Sequence, residues 1–325
     1  MSATAFSRTS PAPGARGSSR SSCHGTEPQD HRACGRSRRC RSSPVARKLP
    51  PVAPNRDEPQ WRVWTAPAAL VSGFILGQFA YLVVAVIGQG RHQSLNHPGP
   101  AVSIAGNVVY DLSFVAAALY FARLQGRVRA ADFGYRRTAL GLGAGGFVAG
   151  GAAYYVFSAL YTLLLHLHSA TKLPDQLGAN RSTAALVAVA AFVCVIAPIC
   201  EELFFRGFLF GTLRRLRITI ARRSAGTWTA AILTGILFGA AHIGSEPVPQ
   251  LVQLAFLGFV LCLIRWRTGS LYPCMALHSF NNSLALGVIQ HWSPGATLAL
   301  TTGSMLAIGV LTGPLSGFRA RSCPT

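Results

Sequence analysis

Eight apolar segments follow one another along the 325-residue chain after residue 65, and they give the first expectation about its fold. A helix needs roughly 20 apolar residues to cross a bilayer, and most of the segments reach that length. None has the alternation of apolar and polar positions that is typical of a half-buried strand. The pattern predicts an all-α, polytopic membrane bundle of about eight transmembrane helices. The segments cover residues 66–88, 102–122, 140–166, 184–212, 228–243, 248–264, 271–290 and 296–315.

The fifth and sixth segments are short, and the turn from Gly244 to Pro249 separates them. A short hydrophobic stretch fits a bilayer only if the helix or the bilayer adjusts. We therefore expect one helix of this pair to be tilted or re-entrant.

The chain before these segments has a different composition. Residues 1–63 are rich in Ser, Arg, Pro and Gly and contain few aliphatic side chains. Such a segment cannot bury enough apolar surface to fold, so it is predicted to be a disordered basic tail. Residues 64–317 then form the transmembrane helical domain.

The charge of the chain changes this picture little. Half of the residues are hydrophobic and only 12% are charged, whereas a soluble domain has about a quarter charged residues. The net charge of +20 would suggest nucleic acid if the arginines formed a stripe on a folded face. They lie instead in the tail and in short runs between apolar segments. We expect a lipid bilayer as the surroundings and no nucleic-acid partner.

The positions of the basic residues predict an orientation. With the N-terminus inside, only Arg91, Lys172 and Arg181 fall on the outer side, and nearly all other basic residues fall on the cytoplasmic side. This agrees with the positive-inside rule, so both termini are expected in the cytoplasm. Arg greatly outnumbers Lys, as in a GC-biased source, and we expect a bacterial plasma membrane.

Three acidic residues fall inside the apolar segments: Asp111, Glu201 and Glu202. Ionisable groups at that depth are costly and are therefore candidates for function. Asp111 shares a helix face with Asn107, four residues earlier, and the expectation for it is a hydrogen-bonded contact between helices. The adjacent glutamates require a closer reading.

The spacing of charged residues in the fourth segment predicts different roles for the two glutamates. Glu202 and Arg206 are four residues apart with the acid first, which favours an ion pair on one helix face. Glu201 lies about 100° further round the helix and has no cation in register, so it is the candidate general base. Pro198 removes a helix hydrogen bond just before it. Gly207 permits close approach of a neighbouring helix.

Two later segments offer partners for such a base. The fifth places Phe238 and His242 on one helix face, and the seventh places His278 and Asn282 on one face. A single histidine in an apolar helix is usually a packing residue, but two histidines beside a pair of glutamates suggest a site. Helix rise puts these residues at compatible depths. We expect them to meet in one cavity that opens to the cytoplasm.

These residues form three ordered motifs: Glu201-Glu202-x-x-x-Arg206, Phe238-x-x-x-His242 and His278-x-x-x-Asn282. The set resembles the CAAX prenyl endopeptidase and bacteriocin-processing family, also called CPBP or Abi, over about residues 180–290. The resemblance implies an intramembrane, CAAX protease-like metalloendopeptidase that acts on a peptide or protein substrate at the membrane. It also implies that Glu201 activates water and that the other motif residues support it. The implied catalytic residues are Glu201, Glu202, Arg206, His242, His278 and Asn282.

The resemblance leaves the cofactor open. Glu201, His242 and His278 could hold a Zn²⁺ ion with a fourth position free for water. Glu201 would then no longer be a separate base, and Glu202 is occupied by Arg206. The alternative is a metal-free site in which Glu201 is the base and the histidines orient the water.

Two other classes of function remain. The first is a non-catalytic bacteriocin-immunity or membrane scaffold protein of the same fold. The second is a proton-coupled transporter that uses Asp111, the glutamates and the histidines as a relay. Many transporters contain internal repeats, and none is evident between the two halves of this chain.

Overall fold

The computed structural model describes residues 61–88, 98–167, 173–220 and 223–313. Of the tail predicted for residues 1–63, residues 1–60 lie outside the described residues. Trp61 is already buried, and its ring lies 4.9 Å from that of Phe133 and 5.1 Å from that of Phe208. The packed part of the chain therefore includes Trp61, slightly before the boundary predicted at residue 64.

Within the described ranges, eight long helices form the bundle, and each corresponds to one predicted apolar segment. They are α1 (Thr65–Gly88), α2 (Pro100–Arg123), α3 (Leu140–Leu164), α4 (Thr183–Leu213), α5 (Gly226–Ala240), α6 (Val248–Thr268), α7 (Tyr272–Ile289) and α8 (Pro294–Thr312). Short helical turns at Ala130–Phe133 and Leu173–Gln176 lie in the connections. Strands β1 (Thr219–Ile220) and β2 (Arg223–Ser224) form a small antiparallel hairpin before α5. The predicted all-α, polytopic bundle is confirmed.

The helices differ in length and hydropathy, and therefore in whether each could cross a membrane by itself. Six of those in the described part of the chain are long and apolar enough, namely α1, α2, α3, α4, α6 and α8. Helix α5 has only 15 residues, or about 22 Å, as its short segment predicted. Helix α6 has 21 residues, so the expectation that it is also short is wrong. Helix α7 has 18 residues and is interrupted by polar side chains, so it depends on its neighbours.

Helix α5 is held against α6 by glycines. A Cβ atom added at Gly239 would overlap the Leu251 carbonyl oxygen, and one at Gly235 would lie 2.6 Å from the Ala255 oxygen. Only hydrogen fits at these positions, so the two backbones approach closely. This contact fixes the end of α5 from which Phe238 and His242 project.

We expect Gly239→Ala to destabilise the protein by about 1–3 kcal/mol, since the added methyl overlaps the α6 backbone. Gly303→Ala in α8 is the matched control, because no atom lies within 4 Å of the position of its Cβ. Alanine is the better helix former, so this control should be neutral or stabilising. Thermal denaturation in detergent measures both variants. Equal effects would contradict the close contact between α5 and α6.

Candidate active site

The site begins with a defect in α4. Pro198 has no N–H, so the Cys194 carbonyl four residues earlier lacks its α-helical donor. The helix widens to π-helical geometry at Phe192–Ile196, where the Ala197 N–H donates to the Phe192 oxygen five residues back. A second π-helical stretch, Glu202–Leu209, follows the α-helical turn that ends at Glu201. The predicted disturbance at Pro198 is present, and it frees backbone carbonyls beside the glutamates.

Helix α7 supplies donors to these carbonyls. The Ser279 hydroxyl donates to the Cys194 oxygen at 2.7 Å, and the Asn282 side-chain amide donates to the Val193 oxygen at 2.8 Å. A buried carbonyl without a donor is costly, so these two bonds stabilise the packing of α7 on α4. The contacts fix α7 against α4 and so determine where His278 lies.

Glu202 is the centre of a buried ionic cluster. Its Oε1 atom accepts a hydrogen bond from Arg206 Nη1 at 2.7 Å, as the four-residue spacing predicts. The same oxygen lies 2.8 Å from His278 Nδ1. Because a carboxylate oxygen only accepts, that nitrogen carries the hydrogen. Glu202 and Arg206 are fully buried, so His278 is oriented by a charge pair that water does not reach.

Phe238 lies between the basic groups of the site. The Arg206 guanidinium carbon lies 4.2 Å from the centre of the Phe238 ring, a cation–π contact. The same ring contacts the imidazole of His242 at 5.1 Å and that of His278 at 5.6 Å between centroids. The phenylalanine of the second motif thus brings both histidines into one neighbourhood.

Glu201 differs from Glu202 in exposure and partners. Its side chain is 18% exposed, whereas that of Glu202 is completely buried. Its nearest basic group is His278 Nε2, at 3.8 Å from Oε2, beyond hydrogen-bonding distance. Glu201 faces a cavity of about 450 Å³, which His242, His278 and Asn282 also line. The structure therefore brings four of the six predicted residues to one cavity and places Glu202 and Arg206 behind them.

The direction of this cavity contradicts an expectation. The end of the cavity farthest along the bundle, called its outer end below, is lined by residues of three connections. They are Pro174 before α4, Ser245 and Glu246 after α5, and Ile289 at the end of α7. The arginine-rich connections after α2, α4 and α6 lie at the opposite end of the bundle. If those connections are cytoplasmic, the cavity extends toward the other face. The predicted orientation and the predicted cytoplasmic opening cannot both hold.

Cysteine labelling decides between the two. In a cysteine-free background we expect a cysteine at Arg127 to be shielded from an impermeant thiol reagent in intact cells. A cysteine at Gly244, beside the outer end of the cavity, should be labelled. The reverse pattern would place the arginine-rich loops outside and the cavity end toward the cytoplasm.

Two neighbouring residues were not identified from the sequence. The Tyr155 hydroxyl donates to Asn281 Oδ1 at 3.3 Å, and Asn281 Nδ2 donates to Asn282 Oδ1 at 3.3 Å. This chain orients the Asn282 amide from α3. Asn281 lies next to a motif residue, but nothing in the sequence relates it to Tyr155, 126 residues away.

The proposed zinc ligands do not form a metal site in this arrangement. His242 Nδ1 lies 2.9 Å from the Phe238 carbonyl oxygen, which leaves Nε2 without hydrogen, as in a metal ligand. Among the described residues, however, no three His, Cys, Asp or Glu side chains are grouped closely enough to hold a metal ion. Glu201, His242 and His278 are all described, so their geometry does not fit a shared zinc.

Comparison with known proteins finds a family that part of the chain matches. Residues 183–284 match the family described as Rce1-like, type II CAAX prenyl endopeptidase Rce1-like. An uncharacterized 24.3 kDa protein of Escherichia coli is 28% identical over 111 residues, 34% of this chain and 48% of that protein. The chain thus spans about half the length of this relative. No solved structure matches. The resemblance inferred from the three motifs is confirmed: residues 183–284 of this integral membrane protein match the Rce1-like family, a type II CAAX prenyl endopeptidase group of the CPBP family.

Proposed function

We propose that the protein is an intramembrane endopeptidase that hydrolyses a peptide bond of a membrane-associated, CAAX-like substrate with water activated by Glu201. The family supports the CAAX-type endopeptidase class, and the residue roles are our proposal. One observation supports the assignment of the base most directly. Glu201 faces the cavity without a cation in hydrogen-bonding distance, whereas Glu202 is buried between Arg206 and His278.

The reaction needs a base that can accept and return a proton. Glu201 removes a proton from water as the water oxygen attacks the carbonyl carbon of the scissile bond. The tetrahedral intermediate then collapses, the carbon–nitrogen bond breaks, and the proton held by Glu201 passes to the leaving amine nitrogen. One water is consumed, and a carboxyl group and an amine are formed.

The histidines contribute through fixed tautomers. His242 donates from Nδ1 to the Phe238 carbonyl, so its Nε2 can accept a hydrogen bond from the attacking water. His278 donates from Nδ1 to Glu202, so its Nε2 faces Glu201 as an acceptor. A water molecule has two hydrogens and Glu201 takes one of them, so one of these two Nε2 atoms accepts the other and thereby orients the water.

Asn282 is the proposed donor to the developing oxyanion. Its side-chain amide has two N–H groups, and one donates to the Val193 carbonyl. The second remains for the substrate oxygen as negative charge develops there. A preoriented donor of this kind contributes roughly 10²–10³-fold to the rate. The Val193 contact is what holds the amide in place.

Every step above is completed by side chains of this chain. We therefore expect hydrolysis to continue in purified protein after treatment with a strong chelator, with elemental analysis showing the preparation free of zinc. Activity that is lost on chelation and restored by Zn²⁺ would overturn the metal-free mechanism. It would also show that the ligands move together relative to the arrangement described.

The activity itself is tested in two ways. A prenylated peptide that ends in Cys-aliphatic-aliphatic-X should be cleaved by the purified protein in lipid and not by the Glu201→Gln variant. In cells, proteomics of membrane peptides with the native and Glu201→Gln proteins should reveal the natural substrate. If the native protein cleaves nothing in either experiment while it still confers a phenotype, a non-catalytic immunity or scaffold role replaces the proposal.

A further inference from the structure

Asp111 on α2 lies outside the segment that matches the family, yet it lines the same cavity as Glu201. Its Oδ2 atom is buried and has no hydrogen-bond partner among the described residues. The interhelical hydrogen bond expected from the sequence is not formed there. A buried polar atom without a partner is uncommon in a folded protein and calls for an explanation.

Asn107 lies one helical turn earlier and also lines the cavity. Its Nδ2 atom donates to the Ser103 carbonyl at 2.8 Å. Because that carbonyl only accepts, the contact uses one N–H of the amide and fixes its orientation, which leaves Oδ1 available as an acceptor beside the second N–H. No hydrogen bond to this oxygen is found in the described residues. Helix α2 therefore presents two acceptors, from Asn107 and Asp111, at a spacing of four residues.

This spacing suits an extended peptide. Residues four apart on a helix are separated by about 6 Å along its axis. An extended strand directs its N–H groups to the same side at every second residue, which is roughly 6.6 Å. Side-chain rotation can absorb the small difference. The two acceptors can thus meet the N–H groups of two alternate residues of one bound chain.

We propose that Asn107 and Asp111 are substrate-positioning residues, which accept hydrogen bonds from two backbone N–H groups of an extended peptide beside Glu201. The inference rests on the proposed endopeptidase function, since it concerns how the same cavity holds its substrate. Backbone contacts of this kind hold many peptide sequences equally, and neighbouring side chains such as Phe114 then contact alternate side chains of the peptide. The position of α2 thereby determines which bond reaches Glu201.

Binding is measured apart from cleavage. A prenylated, fluorescent Cys-aliphatic-aliphatic-X peptide is titrated into Glu201→Gln protein in lipid nanodiscs, and anisotropy gives the Kd. Adding Asp111→Ala or Asn107→Ala should raise the Kd about 3- to 10-fold, the effect of one hydrogen bond. Asp111→Asn should retain the affinity, because its amide oxygen still accepts. Leu112→Ala, an exposed residue of the same helix that does not line the cavity, is the matched control and should bind normally.

The contact partners are identified by changing the peptide. Replacing single backbone amides by esters removes one N–H at a time, and two positions, two residues apart, should weaken binding. One of these esters should have no further effect in the Asp111→Ala protein, and the other none in Asn107→Ala, as a double-mutant cycle requires. Thermal denaturation checks that each variant is folded.

The outcomes separate this inference from the proposed function. The inference is overturned by unchanged Kd values for both alanine variants, by both esters keeping their full effect in Asp111→Ala, or by failure of the parent protein to bind the peptide. A peptide that binds with the expected pattern but is never cleaved by the native protein overturns only the proposed activity.

Discussion

Glu201→Gln should lower the rate of hydrolysis about 10²- to 10⁴-fold and leave the protein folded. The change removes the proposed base and keeps the size of the side chain, and general-base catalysis is worth typically 10²–10⁴-fold. Glu201 takes part in no hydrogen bond among the described residues, so its loss should cost little stability. Initial rates of peptide cleavage, with thermal denaturation of the same preparations, measure both effects.

A control for this experiment is Asp175→Asn, an exposed carboxyl outside the cavity lining whose partner is Asn180. It should cleave at the native rate. If Glu201→Gln retains a substantial part of the activity, Glu201 is not the base. Glu202 would not replace it readily, because it is completely buried and its Oε1 atom is held by Arg206 and His278.

Glu202→Ala should fail in a different way, by loss of stability. The Arg206 guanidinium would remain completely buried without its counter-charge, and His278 would lose the acceptor of its Nδ1 hydrogen. Removing one partner from a buried ion pair costs about 3–5 kcal/mol. We expect a low yield of folded protein, and the unfolding transition in detergent should shift strongly to lower temperature.

A double variant separates the charge from the fold. Glu202→Ala combined with Arg206→Leu removes both charges, and replacing a buried ion pair by apolar groups is often neutral or stabilising. Stability should therefore recover in part. Activity should not, because His278 remains without the carboxylate that orients it. Full stability of Glu202→Ala alone would contradict the ionic cluster.

The sequence predicts the helices better than it predicts the site. The apolar segments identify all eight helices, because a helix surrounded by lipid and by other helices is apolar along most of its length. The Glu202–Arg206 pair is a local contact, and four-residue spacing is sufficient to predict it. The contact of Glu202 with His278 joins residues 76 apart, and no local pattern encodes it.

The cavity shows a second limit of the sequence. Position along each helix predicts that Glu201, His242 and His278 lie at similar depths in the bundle. It does not predict toward which end of the bundle the cavity extends. The end at which the cavity opens depends on how tightly the helices converge at each end. It also depends on loop residues such as Ser245, whose polarity does not show from the sequence that they line a cavity. For Asp111 the sequence predicts a hydrogen-bonded contact between helices and does not reveal the cavity, since that cavity is formed by helices far apart in the chain.

The proline in α4 has a consequence for how the site can move. Its freed carbonyls at Val193 and Cys194 are discrete attachment points, and α7 meets them with Asn282 and Ser279. A helix attached at two such points cannot slide by a fraction of a turn without breaking both bonds together. Opening of the bundle to admit a peptide should therefore move α4 and α7 as one rigid body, with the other helices separating from that pair.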